Sequence, residues 1–160
     1  MKSIATQYSA RSAIPAVLAL IIITLFSTTG AYANAEGIVT RNAKGSFENT
    51  IIGLKKAITA NKLVIVKELP LTRMLNMVGV KAEKIKSLEI FHPRFGKAIY
   101  EADKNALLEA PLRILVREKS GGVIIQYRKP SVILAGYSGL SGLGGNLDKV
   151  FKKIVDSVAK

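Results

Sequence analysis

The chain has 160 residues, of which 24 are Lys or Arg and only 11 are Asp or Glu, and it contains no cysteine. The lack of cysteine excludes thiol catalysis, cysteine metal sites and covalent attachment of c-type haem. The net charge of +13 indicates either anionic partners or a well-solvated basic surface. Because the basic residues are scattered without interleaved aromatic side chains, nucleic acid is not expected as a partner.

The N-terminal residues 1–35 predict a secretory signal peptide. Lys2 and Arg11 give a basic start, an apolar run follows, and small residues then recur in an A-x-A spacing. We expect cleavage after Ala33 or Ala35, with retention as an anchor as the alternative. The apolar core is shorter than the ~20 residues that cross a bilayer. The protein is therefore expected to be exported, in a bacterium to the periplasm, with no transmembrane span after cleavage.

Residues 36–160 suffice for one hydrophobic core and are too few for two ordinary domains. The first predicted helix covers residues 46–60, and Ser46 is placed to cap it. One face of this helix is apolar, with Phe47, Ile51, Leu54 and Ile58.

A short β-branched run, residues 62–68, predicts a buried strand. A short helix over residues 71–78, ended by Gly79, is expected next. Met74 and Met77 lie on it, and we expect their thioethers to fill gaps in the core rather than to bind haem or copper.

Further elements follow in order. Residues 87–91 predict a second strand, residues 94–102 a helix with Phe95, Ile99 and Ala102 on one side, and residues 106–110 a helical turn.

The clearest pattern is a β-hairpin with one solvated face. Leu112, Ile114 and Val116 alternate with arginines, a turn follows at residues 119–122, and the return strand again alternates, with Val123, Ile125 and Tyr127.

The C-terminal part contains a glycine-rich stretch, residues 136–145, and then a helix. The stretch predicts a flexible connector, with phosphate or carboxylate binding by its backbone as the alternative. The final helix is expected to dock on the sheet rather than on a membrane. Its apolar stripe comprises Leu147, Val150, Phe151, Ile154 and Val158. Together these elements predict a single α+β domain whose mixed or largely antiparallel sheet packs against helices.

The ordered set of segments resembles the domain-of-unknown-function family numbered 302 over residues 47–137. The residues that carry the resemblance include Phe91, Pro93 and Gly96, followed by the strand APLRILVRE and the pair Lys129-Pro130. The resemblance implies an α+β domain that pairs as a homodimer, and it implies no established activity. Some relatives carry Cys where this chain has Leu112, so a thiol role is not carried over.

Five residues are candidates for ligand binding, and no catalytic residue is predicted: His92, Arg94, Tyr100, Arg113 and Tyr127. His92 is the only histidine and therefore the only candidate metal or haem ligand of that type, but its place before Pro93 also suits a helix cap. A single imidazole without clustered ligands makes a poor metal site.

The sequence therefore predicts a non-catalytic domain that binds a small apolar or anionic ligand or a cell-envelope protein. A redox accessory that binds haem or metal through His92 is the alternative, and an enzyme of unrecognised type is the third hypothesis. The sequence identifies no cofactor.

Overall fold

A computed structural model describes residues 36–160, so the predicted signal peptide and its cleavage sites lie outside the described residues. Within this range, five strands form one antiparallel sheet: β1 (Ile38–Asn42), β2 (Val64–Leu69), β3 (Ile85–Phe91), β4 (Leu112–Lys119) and β5 (Gly122–Arg128). Their order across the sheet is β1-β5-β4-β3-β2. The largely antiparallel sheet and the α+β class are confirmed.

The helices lie between these strands and after them. They are α1 (Phe47–Ala60), α2 (Leu71–Asn76), α3 (Pro93–Ala102), a 3-10 helix (Lys104–Glu109), α4 (Pro130–Ile133) and α5 (Ser141–Asp156). In residues 36–160, none of the helices has the length and apolar content that a membrane-crossing segment requires.

The main core lies between one face of the sheet and the helices α1 and α5. Ser46 caps the start of α1 as predicted, since its side chain accepts the backbone N–H of Asn49 at 3.3 Å. The predicted apolar faces of both helices are buried against alternate residues of β3, β4 and β5, and this core includes Leu54, Ile58, Leu88, Ile114, Ile125, Phe151 and Ile154. The docking of the C-terminal helix on the sheet is thus confirmed.

The hairpin of β4 and β5 is confirmed, with a two-residue turn at Ser120 and Gly121. Both residues have positive φ, +48° and +79°, as tight hairpin turns require. The face turned away from α1 and α5 is less polar than predicted, because it contains Leu115 and the buried Ile124.

The strand predicted as buried, β2, is instead an edge strand. It pairs only with β3 among the described strands, and its pairing is irregular between Ile65 and Lys67. Val64 and Val66 are about half exposed. A short β-branched run does not distinguish a buried strand from an edge strand, because both positions favour the same side chains.

The methionines of α2 are also placed differently from the prediction. Met74 and Met77 are exposed, not in the core. Only six residues are helical here, and none of them is buried. The helix ends at Asn76, two residues earlier than predicted, and Gly79 lies beyond it with φ +83°.

The glycine-rich stretch is only partly a connector. Helix α5 begins at Ser141 and includes Gly142, Gly144 and Gly145. Gly144 is buried against the backbone of Ser131 in α4. The expectation of a flexible linker was wrong for this half, because glycine here permits close helix packing and does not break the helix.

Two smaller details of the apolar faces also differ. Ala102 is exposed, whereas Ile99 is buried as predicted, and Val158 lies beyond the end of α5. Ile99 belongs to a second apolar cluster, which also contains Ala106, Leu134, Leu140 and Leu147.

Candidate functional site

A groove lies on the sheet face that α1 and α5 leave uncovered. On β4, Ile114 and Val116 point into the core, so the intervening Arg113 and Leu115 lie on the opposite face. Leu115 pairs with Gln126 of β5. Because side chains alternate along a strand, Arg113, two residues before Leu115, and Arg128, two residues after Gln126, share this face.

The groove has a volume of about 390 Å³. Its walls come from the open sheet face, the 3-10 helix, the segment before β4 and helix α4. Most of the lining residues are apolar, with two arginines, one carboxylate and one amide: Ile38, Leu108, Glu109, Pro111, Leu112, Arg113, Leu115, Gln126, Tyr127, Arg128 and Ile133.

Arg113 contributes an accessible positive charge. Its Nε lies 3.5 Å from Oε1 of Glu89 on β3, and 67% of its side chain is exposed. An exposed pair at this distance contributes little to stability. The guanidinium can therefore exchange its partner for a ligand at small cost.

Glu109 forms the opposite charge of the groove and is held in place by a tyrosine. The hydroxyl of Tyr137 donates to Oε1 of Glu109 at 3.0 Å. This hydrogen bond raises the pKa of the Tyr137 hydroxyl. The hydrogen bond thereby holds the carboxylate beside the groove.

Hydrogen bonds between side chains order the open face around Gln126. Nε of Arg117 donates to Oε1 of Gln126 at 3.1 Å. Nε2 of Gln126 donates in turn to the hydroxyl of Thr40 at 3.1 Å. These bonds connect β4, β5 and β1, so the polar part of the groove is preorganised.

Of the hairpin residues predicted to bind a ligand, Arg113 reaches the groove with its side chain and Tyr127 does not. Tyr127 is only 6% exposed, and its ring packs against Phe151 with 5.5 Å between the centroids. Burial raises the pKa of its hydroxyl. Tyr127 borders the groove, but its ring belongs to the core because it shares the alternation of Ile125.

His92 lies at the start of α3, where it acts as a helix cap. Its Nδ1 accepts the backbone N–H of Arg94 at 3.0 Å, and its ring centroid lies 5.0 Å from that of Phe95. It lines a small cavity of about 30 Å³, to which Ile90 and Phe151 also contribute. The capping role considered from the sequence is present, and His92 is not among the groove residues.

Arg94 and Tyr100 are exposed on α3 and lie outside the groove lining. The ammonium of Lys104 lies 5.0 Å from the ring centroid of Tyr100. The five predicted residues are therefore not gathered into one site, and their role in binding stays a prediction.

The sequence analysis missed three residues of the groove: Ile38, Gln126 and Arg128. The alternation of β5 contains a signal for the last two, because Val123, Ile125 and Tyr127 face the core and the residues between them must face away. Ile38 had no such signal, since its pairing with Arg128 joins distant parts of the chain. In residues 36–160, no three side chains of the His, Cys, Asp and Glu types gather at distances that would hold a metal ion.

The fold and the sequence pattern match known proteins. The family described as "Domain of unknown function DUF302" matches residues 39–160, a longer stretch than the resemblance over residues 47–137. A crystal structure of an uncharacterized conserved DUF302 protein from Bacillus stearothermophilus has a TM-score of 0.73 and 16% identity, covering 78% of this chain and 99% of that one. That likeness shows the fold alone. The chain matches none of the curated proteins with which it was compared. With most of its length matched by the family model, the chain belongs to the family of domains of unknown function DUF302.

Proposed function

We propose that this chain is an exported, non-catalytic binding domain that holds a small ligand in the groove on the open sheet face. The groove itself is the observation that carries the proposal. Its volume of about 390 Å³ lies within the range of roughly 300–1,000 Å³ typical of small-molecule sites. Its mostly apolar lining with a few convergent polar groups is also typical of such sites.

The composition of the groove selects the class of ligand. Arg113 offers an exposed guanidinium group, which favours a carboxylate, sulfonate or phosphate. Ile38, Leu115 and Ile133 offer apolar surface for the rest of the molecule. We therefore expect a small molecule with an anionic head and an apolar body.

The same lining favours binding over catalysis. Its side chains include one carboxylate, Glu109, and no serine, threonine, lysine or histidine. Nucleophilic catalysis requires a nucleophile and a base within hydrogen-bond reach of each other. The groove provides no such pair from the described residues.

A fluorescent anion with an apolar body tests the proposal directly. Anilinonaphthalene sulfonate should bind the folded protein with an emission increase, and Arg113→Gln should weaken that binding about tenfold. Arg94→Gln removes a guanidinium from α3 and is the comparison. Equal binding by the parent and Arg113→Gln, or a loss on Arg94→Gln instead, would contradict the groove assignment. Near-UV circular dichroism of each variant separates specific binding from loosened packing.

The homodimer remains part of the proposed function. The open face offers a self-pairing surface, because the partly exposed Leu115 lies beside charges of both signs, those of Arg113 and Glu89. Light scattering of the purified protein tests this. A dimer that Leu115→Glu dissociates would support pairing through this face, whereas a monomeric parent would refute it.

Binding of haem or metal through His92 is the alternative function. Its Nδ1 caps α3, so Nε2 is the ring nitrogen that would serve as a ligand atom. A visible absorption band in the purified protein that His92→Ala abolishes would favour this alternative over the groove.

Periplasmic fractionation, with the N-terminus read by mass spectrometry, tests export and the cleavage after Ala33 or Ala35.

A further inference from the structure

A second exposed surface lies at the other end of the sheet, between β2 and β3. Four large apolar side chains cluster there within seven residues: Met74, Met77, Val78 and Val80, which are 51%, 78%, 75% and 47% exposed. Such a concentration of exposed apolar side chains marks an interaction site more often than an accident of the surface. We call residues 74–80 the apolar tip.

The apolar tip is held in an ordered conformation. The backbone N–H groups of Gly79 and Val80 donate to the carbonyl groups of Asn76 and Leu75, each at 3.1 Å. The hydroxyl of Thr72 accepts the N–H of Ile85 at 2.6 Å. The same hydroxyl lies 2.9 Å from the carbonyl oxygen of Glu83, to which it donates. The loop is therefore fixed with its apolar side chains outward.

Positive charge surrounds the apolar tip. Arg73 precedes Met74 and Lys81 follows Val80, and within residues 36–160 neither forms an ion pair with an acidic side chain. Lys84 is partly neutralised, since its ammonium lies 2.7 Å from Glu48 and 3.6 Å from Glu118.

The remaining charges of this segment belong to Lys86 and Glu83. Lys86 pairs with Glu68 at 3.2 Å, and Glu83 is the single acid between residues 71 and 86. Among the described residues, the cations nearest the apolar tip, Arg73 and Lys81, are thus the ones without a partner acid.

We propose that the apolar tip docks onto the surface of an anionic lipid bilayer. Apolar side chains flanked by Lys and Arg are the combination that binds at the lipid headgroup boundary, because the side chains enter the acyl region while the cations meet lipid phosphates. The surface is separate from the groove, so the two proposals succeed or fail independently.

A fluorescent label at the apolar tip tests the proposal in the full-length chain. The chain contains no cysteine, so Val78→Cys creates a single site for an environment-sensitive dye. Ile52→Cys, on the exposed outer face of α1, is the matched control, since Ile52 is 64% exposed. A label at a single position is necessary because the apolar run within residues 1–35 would itself bind vesicles.

The emission of the dye at position 78 is expected to shift to the blue when vesicles of phosphatidylcholine mixed with phosphatidylglycerol are added. The shift should be much smaller with phosphatidylcholine alone and should decrease as salt is added. No shift at Val78, or an equal shift with both kinds of vesicle or at both labels, would overturn the proposal. In the first case the apolar tip would have to be assigned to a protein partner.

Charge reversal gives a second, independent reading. Arg73→Glu combined with Lys81→Glu should weaken binding of the labelled Val78 site to the anionic vesicles about tenfold or more, because each basic residue near an anionic surface contributes to partitioning. Both positions are at the surface, so the fold should persist. Unchanged binding by a folded double variant would overturn the proposal.

Discussion

Gly144 of α5 contacts the backbone of Ser131 in α4 so closely that a Cβ on Gly144 would lie 2.7 Å from the Cα of Ser131. One turn further along α5, Asp148 accepts the backbone N–H of Ser131 at 3.0 Å and its hydroxyl at 2.5 Å. The same contact thus combines close packing with two hydrogen bonds. It fixes α4, and with it Ile133 at the edge of the groove.

Gly144→Ala is expected to destabilise the protein by about 1–3 kcal/mol, the usual effect of overpacking a site that cannot relax. The added methyl would meet the backbone, which moves less readily than a side chain. Gly145→Ala is the matched control, because nothing lies within 4 Å of its Cβ position. That variant should gain up to about 1 kcal/mol from helix propensity. Thermal and urea unfolding measure both, and equal effects of the two substitutions would contradict the packing role of Gly144.

Glu68 should make stability depend on pH in acid. Hydrogen bonding from the Lys55 ammonium, and then from Lys86 at 3.2 Å, lowers the pKa of the Glu68 carboxyl. Because the folded-state pKa is below the unfolded-state value, ~4.3 for a free glutamate, the stabilisation is complete above that pH. It is lost as the pH falls through the lower folded-state pKa.

The substitution Glu68→Gln tests this dependence. We expect it to lower the free energy of unfolding at neutral pH by no more than about 1 kcal/mol, since the three side chains are partly exposed. The difference from the parent should shrink towards zero in acid. Glu83→Gln is the control, because Glu83 forms no ion pair within residues 36–160. A difference for Glu68→Gln that does not change with pH would argue against this linkage.

His92→Ala should cost about 1 kcal/mol, since it leaves the N–H of Arg94 at the start of α3 without its side-chain acceptor. His92→Asn should retain most of the stability, because asparagine caps helices well. Urea unfolding monitored by circular dichroism compares the two. If both variants lose the same stability, capping is not what His92 contributes.

Local patterns determined the elements of this protein well. The cap at Ser46, the apolar faces of α1 and α5 and the two-residue turn at Ser120 and Gly121 follow from contacts between residues close in sequence, so they can be predicted from the sequence. The alternation along β4 also placed Arg113 on the solvated face. The family resemblance depends on the same ordered set of segments.

Packing between distant segments decided what the sequence left open. Residues 62–68 have the composition of a buried strand, but β2 is at the edge because β3 covers only one of its sides. Met74 and Met77 are residue types that usually fill the core, yet no element within residues 36–160 buries them on the short α2. A glycine such as Gly144 suggests a flexible segment when only the sequence is considered. Its role in close helix packing is visible only in the contact with the Ser131 backbone. The groove likewise exists because β1 joins β5 at the opposite end of the chain, which brings Ile38 to Arg128. Backbone propensity and side-chain period act over a few residues and are present in the sequence, whereas burial depends on which distant surfaces meet.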